Sequence, residues 1–492
     1  MLNRRDFLKA ATALTALGGL PVPGARAGVQ VNDVHSKLNS ILVDRVVPVQ
    51  SMGDLQQQLA LTASESKSVS IAGARHSMGG QQFGTNTILL DTQKLNRVLS
   101  FDPEAGTIEV ESGIQWPELI NYLLEEQKGR DKQWGIAQKQ TGADRLSLGG
   151  AVSSNIHSRG LAMKPFISDV ESIVLLDGKG EPRVCSRKEN EELFRLAFGG
   201  YGLFGFVYSI KVRLSPRQKI ERVVKIVDRD QVITELHGRR DDGFLYGDWQ
   251  YSTDEASDNF LNRGVMACYK PVDPSKPIRE DRQELSEVDW NMLTFLSHAD
   301  RARAYEFYAK YYLSTSGQIY WTDTHQLTAY FKDYHLELDM NLGARHPGSE
   351  MITEIYTPRD RLADFLAEAA SDFRKNEVLN IYGTVRLIEK DDESFLAWAK
   401  EPWACTIFNL HIDHSEAGIA KAKDSFRRLI DMAIQQGGSY FLTYHKWATR
   451  KQVLACYPQF PEFLRLKKKY DPEERFQSDW YRHYKEMFAD LL

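Results

Sequence analysis

Histidine, arginine, tyrosine and glutamate can move protons or fix charge, and in this 492-residue chain they gather in a few compact settings. The densest is Ser70-Ile71-Ala72-Gly73-Ala74-Arg75-His76-Ser77-Met78-Gly79-Gly80, where a strand-like run breaks into a turn of small residues. Glycines there let backbone N–H groups approach an anion closely. The imidazole can donate a hydrogen bond, ligate a metal or act as a nucleophile. Two further loops have the same texture, Gln140-Thr141-Gly142-Ala143-Asp144-Arg145-Leu146-Ser147-Leu148-Gly149-Gly150-Ala151-Val152 and Gly199-Gly200-Tyr201-Gly202-Leu203-Phe204-Gly205. None has the Gly-x-Gly-x-x-Gly spacing with an acidic residue ~20 positions on, and no Gly-Lys-Ser/Thr is present. Any one of them alone reads as a simple turn. Three together point to an extended phosphate-bearing ligand threaded between subdomains.

A second group of chemically able residues lies further along. Two-residue alternation puts Tyr382, Thr384 and Arg386 on one strand face, and Asn409, His411 and Asp413 on one face of the next. Glu350, Ile352, Glu354 and Tyr356 share a face elsewhere, and Tyr444-His445-Lys446-Trp447 follows a strand leaving Gly438. Removing a proton needs an acceptor, and developing negative charge needs a fixed positive one beside it. Arg386 suits the second task. His445 or His411, with Tyr444, suits the first, and Glu354 is a candidate beside them. The plain alternative for each is an outward polar residue on a solvated sheet face. Cys185, Cys268, Cys405 and Cys456 are far apart and lack metal-ligand spacing, so no metal site is expected. A disulfide and a buried apolar role both stay open for them.

The elements that must position these residues follow from pattern. Residues 41–214 alternate short strands with helices; turns are marked at Asp102-Pro103-Glu104-Ala105-Gly106 and Asp177-Gly178-Lys179-Gly180. Helices are predicted over 189–197, 359–375 and 416–435, and strands over 380–389, 405–413 and 439–444. Asn3-Arg4-Arg5-Asp6-Phe7-Leu8-Lys9, a short apolar run and Ala25-Arg26-Ala27 make a twin-arginine export signal over 1–27. Its apolar run is well short of the ~20 residues that span a bilayer, so no membrane span is expected in the mature chain. Export by this route places the protein in the periplasm or outside the cell, carried folded by the twin-arginine machinery. A net charge of −5 with both signs interspersed excludes nucleic acid as an obvious partner.

In this order, Gly73-Ala74-Arg75-His76-Ser77, Leu148-Gly149-Gly150-Ala151-Val152, His157 with Gly160, Asp169-Val170-Glu171-Ser172 and Gly200-Tyr201-Gly202-Leu203-Phe204-Gly205 resemble the FAD-binding domain of the vanillyl-alcohol oxidase/p-cresol methylhydroxylase (PCMH-type) superfamily. Lys469-Tyr470-Asp471-Pro472-Glu473-Glu474-Arg475-Phe476 looks like its closing motif. The resemblance implies an α+β fold: a PCMH-type FAD-binding domain of two α+β subdomains over 38–215, and a substrate domain with an antiparallel sheet flanked by helices over 216–436. A final segment, 437–492, would return to the FAD domain. It implies FAD held by Gly73, Ala74, Arg75, His76, Ser77, Met78, Gly79, Thr141, Gly142, Gly149, Gly150, His157, Gly202 and Gly205. Ser77, Gly79, Gly149 and Gly150 would offer donors to the pyrophosphate. In many members the histidine matching His76 is bonded to the flavin; with Arg75 where many relatives carry glycine, a His76 that only hydrogen-bonds the flavin is the competing reading.

The branch nearest in look oxidises sugars, alditols and aldonolactones. The implied activity is oxidation of a CH–OH group of a sugar, polyol or related alcohol, with electrons passing to dioxygen or to a quinone or cytochrome. Arg386 resembles the branch's arginine, whereas Thr384 stands where an aldonolactone-type glutamate would be, and His445 and Lys446 fall near its C-terminal His or Lys. Two rivals remain: a flavin-dependent C=C reductase, and a flavin-carrying binding or electron-transfer module without turnover.

Overall fold

The structure, a computed structural model, describes residues 28–328 and 333–492. The expected signal over 1–27 lies outside the described residues.

Continuous aliphatic runs build a small parallel sheet from β1 (Arg45–Pro48), β2 (Val69–Ala72) and β3 (Ile88–Asp91), in the order β1-β3-β2. Such runs suit strands covered on both faces. Helix α1 (Met52–Ser64) connects β1 to β2, and Ser51 caps it by accepting the Asp54 N–H at 3.1 Å. A five-stranded antiparallel sheet follows, with β4 (Val98–Asp102), β5 (Thr107–Glu111), β6 (Val170–Leu176), β7 (Pro182–Ser186) and β8 (Phe206–Arg213) in the order β7-β6-β8-β5-β4. Between β5 and β6 lies the short helix α2 (Leu148–Ser154), capped by Ser147 and closed by Asn155 in the left-handed region.

The second sheet is larger. β9 (Lys219–Asp228), β10 (Tyr246–Tyr251), β11 (Arg263–Pro271), β12 (Ile319–Trp321), β13 (Gly348–Pro358), β14 (Asn380–Ile388), β15 (Trp403–Asp413) and β16 (Ser439–Tyr440) run in the order β12-β9-β11-β10-β14-β15-β13-β16. All pairings are antiparallel. Helices α3 (Glu287–Ala299) and α4 (His335–Leu342) are inserted before β13. α5 (Leu362–Lys375) buries Phe365, Leu366, Ala369 and Phe373, and α6 (Glu416–Gln435) buries Phe426, Leu429, Ile430 and Ala433. This three-to-four spacing makes one apolar stripe per helix. Phe365 and Phe373 of α5 meet Phe408 of β15, and Phe426 of α6 packs on His445, whose Nε2 is 3.4 Å from Thr353 Oγ1, so both helices cover the sheet face that carries Phe408 and its partner Thr353. The opposite face carries Glu350, Ile352, Glu354, Arg386, Cys405 and His411.

That face is not solvated. Glu350, Glu354 and Arg386 are only 3%, 4% and 6% exposed. Loops of the first two sheets pack over it at Glu354 and Arg386, and α3 and α4 at Glu350, which is why these strands bury nearly every residue instead of alternating. The four cysteines are buried and unpaired.

Helices α7 (Phe460–Tyr470) and α8 (Asp479–Met487) flank a clamp onto the first sheet. Asp471 accepts N–H bonds from Arg475 and Phe476 at 2.9 and 2.8 Å. The Arg475 guanidinium donates to Thr62 Oγ1, the Leu59 carbonyl and the Lys67 carbonyl at 2.7, 3.1 and 2.6 Å. Val69 and Phe476 then bridge as strand neighbours. Among the described residues no helix is long and apolar enough to cross a membrane.

One predicted strand is cut short. The run expected over 439–444 is β16 alone, two residues long. The Tyr457 hydroxyl bonds the Tyr440 carbonyl and Phe441 N–H donates to the Glu354 carbonyl, after which the chain turns inward.

Candidate active site

A cleft with about 1470 Å³ of empty volume, counted to its solvent mouth, opens between loops of the two smaller sheets and the eight-stranded sheet. Its walls hold Gly73, Ala74, Arg75, His76, Ser77 and Met78 from the loop after β2, and Thr141, Gly142, Gly149 and Gly150 from the loop into α2. His157, Gly202 and Gly205 line it too, and the large sheet contributes Glu354, Arg386 and, just beyond β16, Tyr444.

Close approach explains the small residues. A Cβ at Gly73 would lie 2.2 Å from Ser147 Oγ, so any larger residue would force the first two loops apart. Gly205 has φ +146° and sits against the Leu176 carbonyl, a conformation closed to side chains. Arg75 is the exception, a non-glycine at φ +63°. Its guanidinium pairs with Asp91 at 3.1 Å and its carbonyl accepts the Val34 N–H at 2.9 Å, which offsets the strain.

Register brings the polar groups together. Glu354 faces Ile407 and Thr384 across β15 and β14, and one row on Tyr356, Cys405 and Arg386 align. Glu354 Oε1 accepts the Tyr444 hydroxyl at 2.7 Å; Oε2 accepts Tyr356 at 2.9 Å and meets His157 Nε2 at 2.7 Å. Burial raises the Glu354 pKa, but the charge and hydrogen bond of His157, the Tyr444 bond and the Arg386 charge outweigh it and hold the carboxyl at about 2. His157 Nδ1 lies 2.9 Å from the Ser158 carbonyl. Both ring nitrogens therefore face oxygens that only accept. Arg386 donates to Thr141 Oγ1, tying the large sheet to the second loop. His76 is held near pKa 4, first by burial and then by His35.

Polar atoms of the wall await a ligand: Gln81 Oε1, Gln82 Oε1, Ser112 Oγ and Arg386 Nε are buried without a protein partner. A cleft with a small-residue cradle, scattered donors and acceptors and an arginine in its wall suits a dinucleotide carrying a redox ring. Residues 43–186 match a family model described as an FAD binding domain, and residues 1–21 match a twin-arginine translocation signal. Similar proteins include an uncharacterized oxidoreductase of Rhodococcoides fascians, 29% identical over 40% of this chain and 42% of that protein. L-gulonolactone oxidase of Mus musculus is 27% identical over 34% of this chain and 36% of its own length. Cytokinin dehydrogenase 5 of Oryza sativa subsp. japonica is 26% identical over 54% and 52%.

Residues 43–186 belong to the FAD-binding domain family.

FAD is the cofactor of this flavoprotein, and its N-terminal signal directs export by the twin-arginine route. The matched segments span about two fifths to half of the curated relatives' lengths. The family match covers the first two glycine loops and stops before Glu354, Arg386 and Tyr444.

Several expected residues lie elsewhere. Gly79 is not in the cleft wall; a Cβ there would meet the Gln81 amide. Gly149 and Gly150 line the wall but do not offer free amides. Gly149 N–H donates to the Ser112 carbonyl at 2.7 Å and Gly150 N–H to the cap hydroxyl of Ser147 at 3.3 Å. Their part is to leave room. His445 is on the helix side of the sheet, boxed by Phe426, Tyr440 and Trp447, with Nε2 3.4 Å from Thr353 Oγ1. Burial drives its pKa down to about 3, so it is a neutral core histidine. The turn after β16 sends Tyr444 into the cleft and His445 away from it. His411 shares the cleft-facing side of the sheet but sits beyond the cleft, against Glu350, His298 and His335.

Sequence reasoning missed His35, Gln81, Gln82 and Phe441, all in the wall. Gln81 and Gln82 directly follow the first loop, so extending that motif would have found them. For the isolated His35 no sequence signal existed.

Proposed function

We propose that this flavoprotein is an oxidoreductase that oxidises a CH–OH group of a sugar, polyol or related alcohol, with dioxygen or a quinone or cytochrome as final acceptor. The observation that carries the reading is an ionised carboxylate, Glu354, and a guanidinium, Arg386, in one cleft with the Tyr444 hydroxyl between carboxylate and wall. Bound FAD supplies a two-electron acceptor for hydride from the substrate carbon. Tyr444, its hydroxyl donating to Glu354 Oε1, accepts a hydrogen bond from the substrate hydroxyl and orients it. His157 and Tyr356 fix the carboxylate for that task, and Arg386 provides standing positive charge where negative charge develops. His76, in the wall beside small residues, is the tether to the flavin. The division into 38–215, 216–436 and 437–492 is supported by sheet membership and by the Arg475 clamp.

An anaerobic panel of alcohols, lactones and amines, read by bleaching of the flavin absorbance, tests the reaction. Bleaching by polyols or sugars is expected. Bleaching by amines alone would overturn the alcohol reading in favour of a CH–NH donor, the reading that likeness to cytokinin dehydrogenase supports. Acid-precipitated protein that keeps flavin fluorescence, and loses it in His76→Ala, tests the tether; wild-type protein that releases all its flavin in acid refutes it.

A further inference from the structure

Beyond the cleft, four side chains from four elements converge on one point. α3 brings His298, α4 His335, β13 Glu350 and β15 His411, the last two directly paired in register. Their ligand atoms all lie within 4.8 Å of one another. His298 Nε2 is 2.8 Å and His411 Nδ1 3.4 Å from Glu350 Oε1, while His335 Nε2 contacts Oε2, as does the Tyr334 hydroxyl. The side chains of His298 and Glu350 are 1% and 3% exposed.

The far side of two rings is also occupied. His298 Nδ1 lies 2.8 Å from the Thr294 carbonyl and His335 Nδ1 3.3 Å from Asp339 Oδ1. Asp339 is itself held by the Gly348 N–H at 2.9 Å. Both outer partners only accept, so each Nδ1 carries hydrogen. Each ring is thereby oriented with its Nε2 toward the one carboxylate, the two ring centroids 5.9 Å apart. A divalent cation at that point would take the nitrogen lone pairs and the carboxylate together and balance the charges of Glu350 and Asp339. An imidazole whose outer N–H is tied to a carbonyl or carboxylate is the usual posture of a metal ligand.

We propose that His298, His335, His411 and Glu350 bind a divalent first-row transition ion of the zinc class. Three imidazoles and one carboxylate favour such an ion over calcium or magnesium, which take oxygen ligands. With all four positions supplied by the protein, the site is of the structural kind. Glu350 precedes Glu354 by four residues on the same face of β13, about 13 Å along the strand at ~3.3 Å per residue. The ion would pin α3 and α4 to the sheet beside the flavin cleft.

Elemental analysis of the purified, FAD-loaded chain after dialysis against metal-free buffer is expected to find close to one such ion per chain. The chelator-stripped chain titrated with cobalt(II) is expected to gain the visible ligand-field absorption of a tetrahedral nitrogen–oxygen site. Glu350→Gln should lose that absorption, and Asp339→Asn, which keeps all four ligands, should weaken cobalt binding by about 10–100-fold. A wild-type chain with only trace metal and no cobalt absorption would overturn the proposal, as would cobalt binding unchanged in Glu350→Gln. If the variants do not fold, the wild-type titration alone decides. Flavin bleaching by substrate is a separate readout, so failure here leaves the catalytic reading standing.

Discussion

Glu354 collects its donors from three parts of the chain, and removing its charge should have two separable effects. Glu354→Gln is expected to lower kcat by about 10²–10⁴-fold while flavin is retained, measured by turnover against flavin absorbance. The buried His157 also loses its carboxylate partner, so the variant should lose about 1–3 kcal/mol of stability in denaturant titration. Tyr444→Phe keeps the ring but removes the hydroxyl that links substrate to Glu354; kcat should fall while KM changes little. His445 is the contrasting case. Its folded pKa of about 3 lies below the ordinary 6.5, so the unfolded chain binds the extra proton first. The stability that neutral His445 contributes is full above pH 6.5 and is lost as pH falls toward 3. His445→Phe should turn over normally at pH 8, and its melting temperature relative to wild type should rise steadily as the buffer is taken from pH 7 to pH 4. A fall in turnover at pH 8 would return His445 to the active site.

At the scale of elements, the contact between the first loop and the start of α2 sets the cleft's width. Gly73→Ala places a methyl group 2.2 Å from Ser147 Oγ, and backbone must shift to relieve it. In the untethered His76→Ala background, FAD affinity is expected to fall about tenfold, worth ~1.4 kcal/mol. Gly73→Ala with Ser147→Ala should recover part of that loss, less the α2 cap of about 1 kcal/mol, as read by flavin titration of the apoprotein. These loops were legible in the sequence because each is local: Gly73 to Gly79 and Thr141 to Gly150 announce close approach through residue type alone. The helices over 416–435 and near 359–375 were legible for the same reason, since their apolar stripes repeat every three to four residues. The strand over 439–444 was not. Its alternation continues past Tyr440, but the Tyr457 hydroxyl and the Glu354 carbonyl, far away in sequence, end the pairing there. The alternative of a solvated polar sheet face is excluded by burial at Glu350, Glu354 and Arg386, which the alternation did not reveal because periodicity identifies a face without saying what packs over it.

For the whole molecule, the Asp471–Arg475 clamp closes the chain on itself. Arg475→Ala strips donors from Leu59, Thr62 and Lys67, so the C-terminal helices should detach first, visible as early proteolysis near residue 471. By itself, the sequence determined the cofactor and the export route, since both are written in contiguous segments where residue type is the signal. It also supplied Arg386, Tyr444 and Glu354 as candidates. Only the tertiary structure decided which of them share the cleft. Arg386, Tyr444 and Glu354 meet there because β13, β14 and the turn after β16 are neighbours, whereas His445 is turned to the helix side and His411 is held with His298, His335 and Glu350. Those four residues are scattered from 298 to 411, and no spacing rule joins them. Antiparallel register and two inserted helices do, because side chains converge in space according to strand pairing and not according to distance along the chain.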